Sequence, residues 1–143
     1  MYLLISTENN SHFSVAIGDQ EILKLKTINK PYKQTELLLK TIDSLLKAKS
    51  SKLKAIVVVT GPGGFSAVRI GVSTANAMAY ALKIPVVGIQ LSKKEKELVE
   101  KEKLNLVWQS ALKKLKTKKV GDFAKPYYDQ EPNITKKSSW KYG

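Results

Sequence analysis

Ala55-Ile56-Val57-Val58-Val59-Thr60-Gly61-Pro62-Gly63-Gly64-Phe65-Ser66 is the most informative stretch of the 143-residue chain. Its first five residues are almost purely β-branched, the pattern of a strand buried on both faces of a sheet. Gly61-Pro62-Gly63-Gly64 ends that strand, and Ser66 reads as the cap of a helix running to about Lys83. Pro85-Val86-Val87-Gly88-Ile89 is a further buried strand, which makes the unit a parallel β-α-β. Upstream, Tyr2-Leu3-Leu4-Ile5-Ser6 is a short apolar strand. Phe13, Val15 and Ile17 alternate with Ser14 and Ala16, the period of a half-buried strand. Gly18-Asp19 signals a hairpin into a third strand around Ile22-Leu23-Lys24-Leu25. After Pro31, Thr35 reads as an N-cap and Glu36 as a first-turn acid. The stripe Leu38, Ile42, Leu45, Leu46 then predicts a helix over about 34–48.

The order is therefore β-β-β-α-β-α-β. This α/β arrangement is ribonuclease H-like, the half-domain of the actin/Hsp70/sugar-kinase class. From Ser92 the texture changes, which divides the chain into residues 1–92 and a reduced C-terminal segment, 93–143. Ser92-Lys93-Lys94-Glu95 is a capping box and Glu97/Lys101 an i,i+4 pair, so an exposed helix follows. Leu104-Asn105-Leu106-Val107-Trp108 fits strand or helix equally. Lys113 to Lys119 is a basic run, and Lys125-Pro126-Tyr127-Tyr128 through Trp140 reads as an extended tail.

Composition excludes several functions. The chain has 25 Lys and Arg against 12 Asp and Glu, a formal charge of +13, and no Cys. One domain with a substantial core is the expectation at this length. The lack of Cys removes thiol catalysis and Cys-ligated zinc and fits a reducing cytoplasm. No apolar run reaches the length of a membrane span. The opening Met1–Ile5 is short and lacks a positive leader, so it reads as a strand rather than a signal peptide. His12 is the only His, which removes Ser-His-Asp triads and His-pair metal sites. The first strand ends Ser6-Thr7-Glu8 and the fourth Thr60-Gly61, without the cluster of acids a two-metal nuclease needs. No catalytic residue, metal or cofactor is expected. Arg69 is the only Arg, and a lysine-rich surface is read mainly as solvated, with phosphate-backbone binding as the alternative.

Two features carry functional readings. Gly61, Gly63, Gly64 and Ser66 are the candidate positions for a phosphate at a helix N-terminus. The preferred reading is a turn that needs glycine for close packing, since neither a P-loop nor a dinucleotide fingerprint is completed. The helix after it has a polar stripe (Arg69, Ser73, Asn76, Tyr80, Lys83), a small-residue row (Ala67, Gly71, Ala75, Ala79) and a third face (Ile70, Thr74, Ala77, Ala81). A helix apolar around most of its circumference should be covered on more than one side.

Gly61-Pro62-Gly63-Gly64-Phe65-Ser66-Ala67-Val68-Arg69-Ile70-Gly71 resembles the G-P-G-S-F-T-G-x-R-I-G signature of the TsaB (YeaZ) family. Leu4-Ile5-Ser6-Thr7 is similar to that family's I-D-T-S strand, Gln34-Thr35-Glu36-Leu37-Leu38 to its H-S-E-x-L helix start, and Pro126 to Thr135 to its closing segment. The resemblance covers about 1–92 and the last twenty residues loosely. Ser6 stands where the family usually has Asp, Gln34 where it has His, and the chain is shorter. What the resemblance implies is a non-catalytic scaffold for tRNA N6-threonylcarbamoyladenosine modification. It would pair with a TsaD-like transferase and work with a TsaE-like ATPase, touch tRNA through the complex, and self-associate when free. The partner surface is expected on the helix pair, at Leu38, Ile42, Ala67, Gly71, Ala75, Met78 and Ala79. The rival readings are a nucleotide-binding ATPase or glycoprotease-like enzyme, and a protein that binds tRNA directly.

Overall fold

The structure, a computed structural model, describes residues 1–128. Three strands open the chain: β1 (Tyr2–Ser6), β2 (Phe13–Gly18) and β3 (Ile22–Ile28). Helix α1 (Gln34–Leu46) and a 3-10 turn (Ser50–Lys52) lead to β4 (Ala55–Gly61). Helix α2 (Phe65–Leu82), β5 (Val86–Gln90), the short α3 (Lys93–Lys96) and α4 (Glu100–Lys114) complete the order. The five strands form one sheet in the order β3-β2-β1-β4-β5. β1 is antiparallel to β2 and parallel to β4, and β4 is parallel to β5. The expected ribonuclease H-like α/β fold is the one formed.

Alternation along the strands assigns the two faces. Leu3, Ile5, Ile56 and Val58 join α1 and α2 in one core, with Leu38, Ile42, Val68 and Val72. Leu4, Val57, Val59, Val87 and Ile89 form a second core with Leu104, Val107, Trp108 and Ala111 of α4. The sheet is thus buried on both faces, which is why β1 and β4 read as unbroken apolar runs. Right-handed crossovers set α1 and α2 side by side, and α4 then crosses to the opposite face. Leu104 to Trp108, which fits either element in sequence, is helix because it must lay an i, i+3, i+4 stripe on a flat sheet.

Several local expectations need correction. Thr35 and Ser66 do not cap their helices. α1 is preceded by Lys33 and α2 by Gly64, each without a side-chain cap bond, and both hydroxyl residues lie inside the first turn. The Ser92 capping box does form, with Ser92 Oγ accepting from the Glu95 amide at 3.1 Å and Glu95 Oε1 from the Ser92 amide at 2.8 Å. The Glu97/Lys101 pair does not share a helix, because the chain turns between α3 and α4, with extended Val99 as the start of α4. No helix among the described residues is long and apolar enough to cross a membrane. The tail beyond Tyr128, including Asn133 to Thr135 and Trp140, lies outside the described residues.

The segment 120–128 returns to the α1–α2 face. Asn76 on α2 grips it, donating Nδ2–H to the Ala124 carbonyl at 3.0 Å and accepting the Ala124 amide at 2.9 Å. The Tyr127 amide donates to the Thr60 carbonyl at 2.7 Å, and the Tyr128 ring meets Phe65 at 4.7 Å.

Candidate functional site

The carboxyl ends of β1 and β4 lie together, so Ser6-Thr7-Glu8 and the turn Gly61–Gly64 face each other. Gly61 holds φ +129° and precedes Pro62 through a cis bond, a backbone conformation that L side chains rarely adopt. A Cβ on Gly63 would strike the Glu8 carbonyl oxygen and lie 2.9 Å from Val68 Cγ2. Close packing therefore accounts for Gly61 and Gly63. Gly64 is looser, its nearest neighbour being the Asn10 amide at 3.3 Å, and Ser66 is exposed.

Beside that turn lies a buried ionic cluster that sequence reasoning missed. Lys103 Nζ donates to Glu8 Oε2 at 2.6 Å and pairs with Glu100 Oε1 at 2.7 Å. The Lys103 and Glu8 side chains are 3% and 1% exposed. Ser6 Oγ donates to the other Glu8 oxygen at 2.5 Å. Ser14 Oγ donates to Glu100 Oε2 at 2.5 Å, and His12 Nε2 meets Glu100 Oε1 at 3.1 Å. Among the described residues every buried side-chain polar atom has a partner. Burial disfavours the Lys103 charge, but Glu8 and Glu100 overcome that and raise its pKa. Burial likewise works against ionised Glu100, and hydrogen bonds from Lys103, Ser14 and His12 hold its pKa below the usual carboxylate value. One sequence signal existed: Lys103, Val107 and Ala111 form a single i,i+4 row, which puts a lysine on the buried face of α4.

The helix pair differs from expectation. Leu38, Ile42, Ala75 and Ala79 are buried in the first core, and Ala67 and Gly71 are buried as well. They cannot present a surface to a partner; of the seven expected positions only Met78 is half-exposed. The small-residue row lets α2 approach its own sheet: a Cβ on Gly71 would strike Thr7 Oγ1, and that hydroxyl donates to the Ala67 carbonyl at 2.6 Å. Gly71→Ala is therefore expected to lower stability by about 1–3 kcal/mol, measurable by denaturant unfolding with an unchanged m-value.

What faces outward is the third face. A groove of about 410 Å³ runs between the first halves of α1 and α2, lined by Leu38, Leu39, Ile70, Ser73, Thr74 and Arg69 among others. Leu39 is 61% exposed on its rim. The Arg69 guanidinium stacks 4.9 Å over the Phe65 ring, which fixes its position while leaving its edge open.

A family model described as TsaD, tRNA N6-adenosine threonylcarbamoyltransferase, matches residues 32–93, from just before α1 to the start of α3. Two tRNA N6-adenosine threonylcarbamoyltransferases are similar in sequence. The one from Geotalea daltonii is 51% identical over 39 residues, 27% of this chain and 11% of that protein. The one from Geotalea uraniireducens is 40% identical over 60 residues, 40% of this chain and 18% of that protein. Among solved structures, YeaZ from Pseudomonas aeruginosa superposes with a TM-score of 0.57 at 28% identity, covering 62% of this chain and 43% of that one. A second, an uncharacterized protein with similarity to peptidase YEAZ from Pseudomonas aeruginosa, gives 0.56 at 28% identity over 62% and 42%. The match thus spans less than half of each relative. The residues matched by the family model, 32–93, contain the glycine turn and both helices of the groove. In fold the chain is similar to the YeaZ proteins, and over residues 32–93 it is similar in sequence to the TsaD family model.

Proposed function

We propose that the chain is a cytoplasmic, non-catalytic subunit in tRNA N6-threonylcarbamoyladenosine modification that binds and supports a TsaD-like transferase. One observation carries the non-catalytic part. The carboxylates of Glu8, just beyond β1, and Glu100, at the start of α4, are already neutralised by the chain's own cation, since Lys103 sits between them. An ammonium at 2.6–2.7 Å from both carboxylates occupies the position and satisfies the charge that a metal ion would require. With one His and no Cys in the sequence, a nucleophile–base pair has few residues from which to be built.

The groove between α1 and α2 is the surface we assign to the transferase. Its half-buried Ile70 and exposed Leu39, flanked by the polar Ser73, Thr74 and Arg69, suit a second helix pair packed across it. A TsaE-like ATPase would join the same assembly, and the free chain would self-associate through the same groove. Ile70→Arg and Thr74→Glu change half-buried groove positions and are expected to weaken transferase binding at least tenfold, as at an interface centre. Their melting temperatures should stay within about 2 °C of the parent. Calorimetric titration with the TsaD-like protein of the same cell tests this; binding unaffected by both substitutions would refute the assignment.

A second reading, that the chain is part of a transferase itself, is favoured by the 51% identity over 39 residues. It requires the chain to modify tRNA without a TsaD-like partner, and activity of the isolated chain would select it.

A further inference from the structure

The helix ends collect at one pole of the molecule. Lys54 N–H donates to the Met1 carbonyl at 2.8 Å and Ile56 N–H to the Pro85 carbonyl at 3.0 Å. The loops after α1 and α2 therefore meet at the beginnings of β1, β4 and β5. α4 ends there too, since Leu112, Lys113, Leu115 and Lys116 share a cavity of about 410 Å³ with Tyr2 and Gln20. On the α2 face of the sheet, Lys83 and the segment 120–123 enclose a second cavity of about 360 Å³.

This pole is basic. The loop after α1 contributes four lysines between Lys47 and Lys54, the loop after α2 contributes Lys83, and the run from Lys113 to Lys119 adds five. The carboxylates nearby are Asp19, Glu21, Asp43 and Asp122. Asp19 pairs with the Met1 amino group at 3.0 Å, and Asp122 accepts the Lys119 amide at 3.2 Å. The opposite pole, around α3 and the start of α4, mixes both signs.

Two observations distinguish the pole from a merely solvated lysine surface. Lys47 and Lys83 end α1 and α2 with φ +48° and +56°, left-handed positions at which glycine is the relaxed residue. A helix dipole attracts a cation to its C-terminus, but it does not require one at the strained position itself. Between the lysines stand exposed aromatic rings, Tyr80 at 77% and Phe123 at 60% exposure, both lining the Lys83 cavity. Exposed rings interleaved with lysines are the chemistry that receives a phosphate backbone and stacks on unpaired bases.

We propose that this pole, centred on Lys47, Lys83, Tyr80 and Phe123, binds structured RNA directly, with tRNA as the ligand class. The choice of tRNA rests on the function proposed above; the polyanion site rests on the pole alone. The groove assigned to the transferase lies on the first halves of α1 and α2, so both surfaces can be engaged at once.

The test is fluorescence anisotropy of an unmodified tRNA transcript with the full chain at several salt concentrations. Lys47→Gly/Lys83→Gly should reduce the slope of log affinity against log salt by about two. The same variant should melt no lower than the parent, because glycine relaxes both left-handed positions. Tyr80→Ala/Phe123→Ala should weaken binding about tenfold with the salt slope unchanged, whereas Lys93→Gln/Lys94→Gln at the other pole should leave it as it was. Unchanged affinity and slope in the glycine variant would overturn the proposal. So would binding to phosphatidylserine vesicles that responds to these substitutions while tRNA is not bound. Titration of the glycine variant with the TsaD-like protein keeps the two readings apart, since intact transferase binding with weakened tRNA binding is expected, and loss of both would point to misfolding and count against this site.

Discussion

Lys103→Met is expected to destabilise the protein by about 3–5 kcal/mol, because it leaves the buried Glu8 and the partly buried Glu100 without their cation. For a chain of this length that corresponds to a fall of about 6–20 °C in melting temperature. Methionine fills most of the lysine volume, so the loss reports charge rather than a cavity. Adding Glu8→Gln should recover part of the stability, since a buried pair replaced by neutral groups of similar shape is often tolerated. The pH dependence has a definite sign. Glu100 has a lowered pKa in the fold, so its contribution is present above the ordinary value of 4.5 and is lost as pH falls through the lower folded value. Lys103 has a raised pKa, so its contribution is present below 10.5 and lost as pH rises through the higher folded value. Between about pH 5 and 10 these two groups should leave stability flat. In Lys103→Met the deficit should narrow in acid, because Glu100 without its cation can be neutralised by a proton. Thermal melts from pH 4 to 8 measure this, and a deficit independent of pH would mean that charge is not the cause.

That cluster also marks the limit of sequence reading in this chain. Strand order and helix extents follow from local patterns: the β-branched run at 55–59, the alternation at 13–17, and the stripe at Leu38, Ile42 and Leu45. Glu8 and Lys103 are 95 residues apart, and no local pattern links them. The capping expectations at Thr35 and Ser66 failed because a hydroxyl near a helix start is only a propensity, and glycine or lysine backbone took the position at Gly64 and Lys33. The small-residue row was legible as a close-approach surface, but period alone does not say what approaches. Thr7, just beyond the chain's own first strand, does so. The functional expectation shifts accordingly from the row to the neighbouring face at Ile70 and Thr74.

Trp108→Ala is the second large effect, expected to cost about 3–5 kcal/mol. Trp108 is buried at the centre of the core beneath α4, meets Tyr2 edge-on at 6.3 Å, and donates its indole N–H to the Asp19 carbonyl at 3.0 Å. Packing dominates this cost. The lost hydrogen bond is worth about 1 kcal/mol, and Asp19 is exposed to water. Trp108→Phe should therefore retain most of the stability. Because α4 offers few other buried residues, Trp108→Ala should also loosen the helix and bare Leu4, Val57 and Val87. Increased binding of a hydrophobic dye before the main unfolding transition would register that exposure. Equal losses for Ala and Phe would assign the effect to the hydrogen bond instead.

Reconstitution tests whether the chain supports threonylcarbamoyl transfer without performing it. Unmodified tRNA is incubated with the TsaD-like transferase and the remaining components of the same cell, with and without this chain, and the modified nucleoside is quantified after digestion. Product is expected only when chain and transferase are both present, with none from the chain without the transferase and a loss of at least tenfold with Ile70→Arg. Product from the chain in the absence of the transferase, or full transferase activity in the absence of the chain, would contradict it.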